Sequence, residues 1–387
     1  VDIGEKSAAR QIVPAASQAL AVRSSALVVR GLRDLARDSN WLIKKVFSGR
    51  SPHLAISPTG QLSAISPQFQ HGSQNNVQRG QQRVVLYDIE LSVPTLALAA
   101  PNELPVAATD LPALFAWSPT ARHLVAAWGA WQPELHLFDL HGKMFLGAFN
   151  VYRNFPNCLA WSDTGKYFVA ASSGGKAGSL RLWQSRRDTA AQQVPLADPP
   201  SAEVGVPNSI EPQQYGEEFA EEGAFRGYGR TAFSPDERSL ASVVEIQGEW
   251  ADDSIVVFDA PSLQNQRAFG AQGHITDLTW TPDSGQIVYC AAGQAYRLEV
   301  SSMVFEPLPF GAELCVCHPH LPLCVCFSSW LKNSAKGRLF LTDLSRQTVF
   351  DEYPAEGVVD LRWSLDGSKA YAVTRDGMAY IYEPPLI

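Results

Sequence analysis

Val358 to Glu383 reads VVDLRWSLDGSKAYAVTRDGMAYIYE, and this stretch decides how the rest of the chain is read. An apolar run ends in Trp363 and meets Ser364-Leu365-Asp366-Gly367, a tight-turn signal. A second run, Tyr371 to Thr374, leads into Arg375-Asp376-Gly377, and a third, Met378 to Tyr382, stops at Glu383. Three short β-prone runs separated by Asp-Gly turns make an antiparallel meander. A lone meander leaves one face unburied, so this one calls for copies of itself on either side.

The copies are present. An apolar anchor followed by Ser-Pro or a relative recurs at Ile56-Ser57-Pro58, Trp117-Ser118-Pro119, Trp161-Ser162-Asp163 and Phe233-Ser234-Pro235. It returns at Trp280-Thr281-Pro282, Cys317-His318-Pro319 and Trp363-Ser364-Leu365, which makes seven units. The third strands close alike, with VVLYD to Asp88, LHLFD to Asp139, LRLWQ to Gln184, IVVFD to Asp259, YRLEV to Val300, LFLTD to Asp343 and AYIYE to Glu383.

These units resemble the WD40 family of β-propellers over roughly Trp41 to Glu383. Gly273-His274-Ile275 through Trp280-Thr281-Pro282-Asp283 carries the family's Gly-His, strand, Ser-Pro-Asp pattern, and Phe233-Ser234-Pro235-Asp236 and Thr374-Arg375-Asp376-Gly377 match it too. No third strand ends in Trp-Asp, and Gly-His precedes one first strand only, so most of the family's buried Asp-His-Ser/Thr-Trp set is missing. The resemblance implies an all-β, seven-bladed β-propeller.

Length agrees, since seven blades of about 40–45 residues account for most of the chain, which has 387 residues. Hydrophobic residues, at 45%, supply a large core, and charged residues are sparse at 18%. A net charge of −8 argues against a general nucleic-acid or acidic-membrane binder. No apolar run is long enough to span a bilayer, and residues 1–23 lack the apolar core of a signal peptide.

The expected organisation is an N-terminal arm and short helix over 1–40, then the propeller over 41–387. Ser25 to Asp38 places Val28, Leu32 and Leu35 on one helical face. A helix packed on the propeller rim explains that face better than a membrane-surface helix. The last unit stops after its third strand, with Pro384-Pro385 close behind. Trp41 to Phe47 is therefore expected to complete the last blade as its outer strand and so close the ring.

First and second strands are joined by tight turns in every unit, whereas the links between second and third strands are often long. The connection from the third to the fourth blade, about 195–228, is read as an insertion. Propeller topology gathers the long links and the blade-to-blade connections on one face. Trp128, Trp131, Trp250 and Trp330 lie in such links, and the insertion carries Glu217, Glu218, Phe219, Glu221 and Glu222. Each loop tryptophan either folds back on its own blade or serves as a binding anchor, and four on one face favour at least one anchor. The acidic segment is a solvated turn or a docking element for a basic partner.

The sixth unit contains Cys315-Val316-Cys317-His318-Pro319-His320 and then Cys324-Val325-Cys326. The spacing departs from zinc-finger ligand spacing. Small, buried, reduced core thiols are the favoured reading, with a cross-strand disulfide or a metal site as the alternatives. Cys158 and Cys290 also fall inside strand signals, which suits a reducing compartment such as the cytoplasm. The chain has no G-x-S-x-G elbow, H-E-x-x-H helix or P-loop.

The expectation is a non-catalytic scaffold or structural subunit of a larger assembly. It would bind protein partners through the loop-rich face, without cofactor, metal, nucleic acid or membrane insertion. The alternative is a propeller enzyme of lactonase or hydrolase type with a metal in the central channel.

Overall fold

The computed structural model describes residues 40–47, 54–65, 83–99, 114–128, 134–150, 156–172, 179–184, 186–187, 193–194, 202–205, 225–246, 252–329 and 337–384. The expected arm and the helix at 25–38 lie outside these residues. The described chain is all-β and forms seven four-stranded antiparallel sheets arranged as a propeller.

Blade 1 contains Leu54–Ile56, Gln61–Ile65, Arg83–Asp88 and Val93–Ala99, from the channel outward. Blade 2 contains Leu114–Trp117, His123–Trp128, Glu134–Asp139 and Met144–Asn150, and blade 3 Pro156–Trp161, Tyr167–Ser172, Ser179–Gln184 and Ala202–Gly205. Phe225–Phe233, Ser239–Ile246, Ser254–Asp259 and Gln264–Gly270 make blade 4. Blade 5 is Ile275–Trp280, Gln286–Ala291, Gln294–Glu299 and Val304–Pro307, and blade 6 is Leu314–Cys317, Leu323–Ser328, Arg338–Asp343 and Thr348–Pro354. Val358–Trp363, Ala370–Thr374 and Met378–Tyr382 give blade 7 its inner three strands.

The outer strand of blade 7 is Trp41–Lys45, paired antiparallel with Met378–Tyr382 from Trp41 opposite Tyr382 to Lys45 opposite Met378. Trp41 packs on Tyr382 with ring centroids 5.1 Å apart. The two ends of the described chain thus share one sheet, and no unpaired edge is left at the join. The segment read as one insertion at about 195–228 is divided. Ala202–Gly205 is the outer strand of blade 3, and Phe225–Phe233 is the inner strand of blade 4. A two-stranded hairpin, Arg186–Arg187 with Gln193–Val194, precedes that outer strand.

The period of two in each strand divides its side chains between two neighbouring blades. In the second strand of blade 5, Ile287, Tyr289 and Ala291 join a cluster shared with blade 4, while Val288 and Cys290 join one shared with blade 6. Seven such clusters fill the seven interfaces between blades. Blades carrying residues of both kinds therefore cannot bury their cores singly, and the ring is one cooperative unit.

The anchor tryptophans add a directional link. Trp117 Nε1 donates to Ala55 O at 3.1 Å, Trp280 Nε1 to Ala232 O at 3.0 Å and Trp363 Nε1 to Val316 O at 3.2 Å. Each acceptor stands one residue before the anchor of the preceding blade. Trp161 Nε1 has no partner among the described residues.

The residue after each anchor closes the tight turn. Ser57, Ser118, Ser162, Ser234, Thr281 and Ser364 accept, through their hydroxyls, the N–H of the first residue beyond the turn, at 2.8–3.1 Å. Where Asp stands two residues later, the hydroxyl donates to it at 2.6 Å, as at Asp236, Asp283 and Asp366. This explains the recurring Ser-x-Asp. The hydroxyl satisfies backbone groups that a turn would otherwise leave unmet.

Candidate functional site

The inner strands of all seven blades line a central channel of about 490 Å³. Small residues form much of its wall, among them Ala55, Ala116, Ala160 and Ala232. At the end where the inner strands begin, Cys158, Arg230, Asp277 and Asp360 form a polar ring, each three residues before its blade's anchor.

The ring is tied to the backbone. Asp277 Oδ2 accepts the Cys315 N–H at 3.0 Å, and Asp360 Oδ2 accepts the Ile56 N–H at 2.8 Å, in each case from the next blade. A register shift precedes both aspartates and re-aims them across the gap. Arg230 Nε donates to Thr276 O at 3.2 Å and stands 4.0 Å from Asp277 Oδ1.

Half of the Arg230 side-chain surface opens on the channel, but the channel walls surround it, so its interactions are less screened than on an outer surface. Burial pushes the Asp277 carboxyl up to about 7 against the opposing pull of Arg230. Burial also raises Asp360 and the Cys158 thiol, whereas the nearby Asp277 charge raises Arg230. The ring can present a guanidinium beside a carboxyl that is half ionised near neutrality. Among the described residues, no three His, Cys, Asp or Glu side chains are grouped to hold a metal ion.

The loop-rich face is the other candidate. The second strands end, and the inner strands begin, on the same side of the ring as the polar ring. Trp131, Trp250, Trp330, Glu217, Glu218, Phe219, Glu221 and Glu222 lie outside the described residues. The strand ends bracketing them, at Trp128 and Glu134, Ile246 and Ser254, Ser328 and Arg338, and Gly205 and Phe225, all open on that side. Trp128 itself is a correction. It is the last residue of its strand, paired with Glu134, rather than part of the loop.

Sequence reasoning missed the channel ring. Its signal was available, since Asp277 and Asp360 hold one offset from Trp280 and Trp363. A single Asp inside a strand is easily passed over, and only the repeat makes the offset meaningful.

Comparison with known proteins supports this architecture. Residues 95–198 match the model of the family "Eukaryotic translation initiation factor eIF2A". That span runs from the outer strand of blade 1 into the segment leading to the outer strand of blade 3, about a quarter of the chain. A chain of the mitotic checkpoint complex crystal structure superposes with a TM-score of 0.56 at 13% identity, covering 88% of this chain and 90% of that one. A chain of Kuenenia stuttgartiensis hydrazine synthase gives 0.59 at 15% identity, covering 88% and 97%. Both likenesses show the fold. No curated protein matches the sequence.

Proposed function

We propose that this propeller is a non-catalytic protein-interaction scaffold, a subunit of a larger assembly acting in translation initiation in the cytoplasm. The eIF2A-family match over residues 95–198 carries the assignment to translation. The architecture supports the scaffold reading. Tight turns, six of them capped by hydroxyls, occupy one face, and the sequence's long links open on the other. The net charge of −8 favours docking on protein components over direct capture of nucleic acid.

The test is sedimentation of the tagged full chain from a lysate of its own source, with mass spectrometry of the fractions. Co-migration with ribosomal subunits or initiation factors is the expected result. Migration free of both, combined with a stoichiometric divalent ion and hydrolase activity in the purified protein, would replace this reading with the channel enzyme. Alanine at Trp128, Trp131, Trp250 and Trp330 in turn locates the surface. A buried aromatic anchor contributes about 2 kcal/mol, so at least one substitution should weaken the captured complex roughly thirty-fold with little change in melting temperature.

A further inference from the structure

Blade 6 carries a ladder of facing thiols that the scaffold reading does not use. Cys315 is register partner of Cys326, and Cys317 of Cys324. The backbone N–H of Cys315 turns away from the partner strand to Asp277, at 3.0 Å, and that of Cys317 to the Thr279 hydroxyl, at 3.4 Å. His318, one residue on, instead donates its N–H to Leu323 O at 2.8 Å. Both cysteine pairs therefore occupy non-hydrogen-bonded positions. Facing Cα atoms there stand about 4.5 Å apart, inside the roughly 4.4–6.8 Å that a disulfide spans.

All four side chains project into the cluster between blades 5 and 6, where Cys290 joins them. Cys324 is the hub, since the Cys326 thiol donates to its sulfur at 3.7 Å and Cys317 faces it across the strand pair. Cys324, Cys326 and Cys290 are sealed at 0% exposure, whereas Cys315 and Cys317, both in the channel wall, retain 3% and 8%. None of the six cysteines is disulfide-bonded in the structure.

We propose that Cys317 and Cys324 form a reversible cross-strand disulfide on exposure to hydroperoxides, making blade 6 a thiol-oxidation site. Cys317, the most exposed of the four blade 6 thiols, attacks the peroxide as thiolate and takes up one oxygen as sulfenic acid, releasing water or an alcohol. Cys324 then attacks the Cys317 sulfur, the S–O bond breaks, and water leaves. Two thiols and one hydrogen peroxide give one disulfide and two waters, and an alkyl hydroperoxide gives one alcohol and one water instead, a two-electron exchange. The proton that Cys324 loses departs with the sulfenic hydroxyl in that water.

The experiment treats reduced, folded full-length protein with hydrogen peroxide, alkylates the remaining free thiols, and then reduces and labels the oxidised ones. The expected result is a loss of about 2 Da in intact mass, reversed by dithiothreitol, with late label on Cys317 and Cys324. Wild-type protein alone can decide the pair. Cys317→Ala and Cys324→Ala should each abolish the mass loss, and Cys315→Ala should retain it. An unchanged wild-type mass, late label on Cys315, Cys326 or Cys290, or a loss that persists in Cys317→Ala overturns the proposal.

Discussion

Blades 5 and 7 make the tight turn one way, and blade 6 makes it another. In blade 5 the anchor is Trp280 and the cap Thr281, and in blade 7 they are Trp363 and Ser364. Blade 6 has Cys317 and His318 at the same places. His318 caps different groups, because the N–H of the first residue beyond the turn, Leu323, goes to Leu321 O. Its Nδ1 accepts the N–H groups of His320 and Leu321 at 2.9 and 3.0 Å. With Nδ1 an acceptor, Nε2 carries the proton and donates to Gly367 O in the turn of blade 7, at 3.1 Å. The ring also packs edge-on against Trp363 at 4.7 Å. The N–H groups of a tight turn are thus met by two chemistries acting at different positions. The imidazole reaches the next blade as well, at the cost of introducing a titratable group into the interface.

The largest effect should come from Gly367. It has φ +70, and a Cβ there would lie 2.3 Å from the His318 ring. Gly367→Ala is expected to cost about 3–4 kcal/mol through clash and backbone strain together. Adding His318→Ser should recover all but about 1 kcal/mol, the cost of the positive φ itself. Urea unfolding of the single and double variants checks this. A double variant no more stable than Gly367→Ala would mean that the imidazole is not what fills the space.

Acid separates the turns next. Burial pushes His318 down to about 4 from 6.5. Between these values the unfolded chain binds the extra proton, so stability falls as pH drops from about 6.5 to about 4, by about 3 kcal/mol for this group. Asp366 in blade 7 behaves oppositely. Hydrogen bonds from Ser364 and Ser368 pull it to about 2 from 3.8, so its contribution survives to about pH 4 and is lost only below. Melting temperature against pH should therefore lose slope between 6.5 and 4 in His318→Ser, and below 4 in Asp366→Asn. Equal slopes in the parent and His318→Ser would break the contrast.

A smaller and more uniform loss is expected at the tryptophan links. Trp280→Phe leaves Ala232 O without its donor, and Trp363→Phe does the same to Val316 O. Each should cost about 2 kcal/mol in denaturant midpoint measurements. The two losses should agree to within about 0.5 kcal/mol, because the link reads a backbone carbonyl and not the identity of the anchor beside it. The smallest change is at the cap. Thr281→Ala removes one acceptor for the Gln286 N–H and should cost about 1 kcal/mol. A much larger loss would show that the hydroxyl turns do more than close the backbone.

The sequence alone determined the repeat and therefore the architecture. Apolar anchors with turn residues at fixed offsets specify local hairpins. The hairpins' alternating apolar faces demand neighbours on both sides, and that demand leads to a ring of seven. The missing fourth strand after Tyr382 likewise pointed back to Trp41, because a sheet edge left open has a cost that the chain can read locally.

What only the tertiary structure decided lies between blades, where residues far apart in sequence meet. Asp277 and Asp360 look like ordinary strand positions until a register shift aims each at the next blade. His318 reads as a metal-site candidate until its Nε2–H is seen to donate to the carbonyl of Gly367, 49 residues away. The Cys324 hub is likewise a matter of register, since spacing gives which thiols share a face but not which pair stands opposite. Local patterns encode hydrogen bonds within a blade. The partner of a buried polar group across an interface depends on how the blades are packed, and no stretch of one blade contains that information.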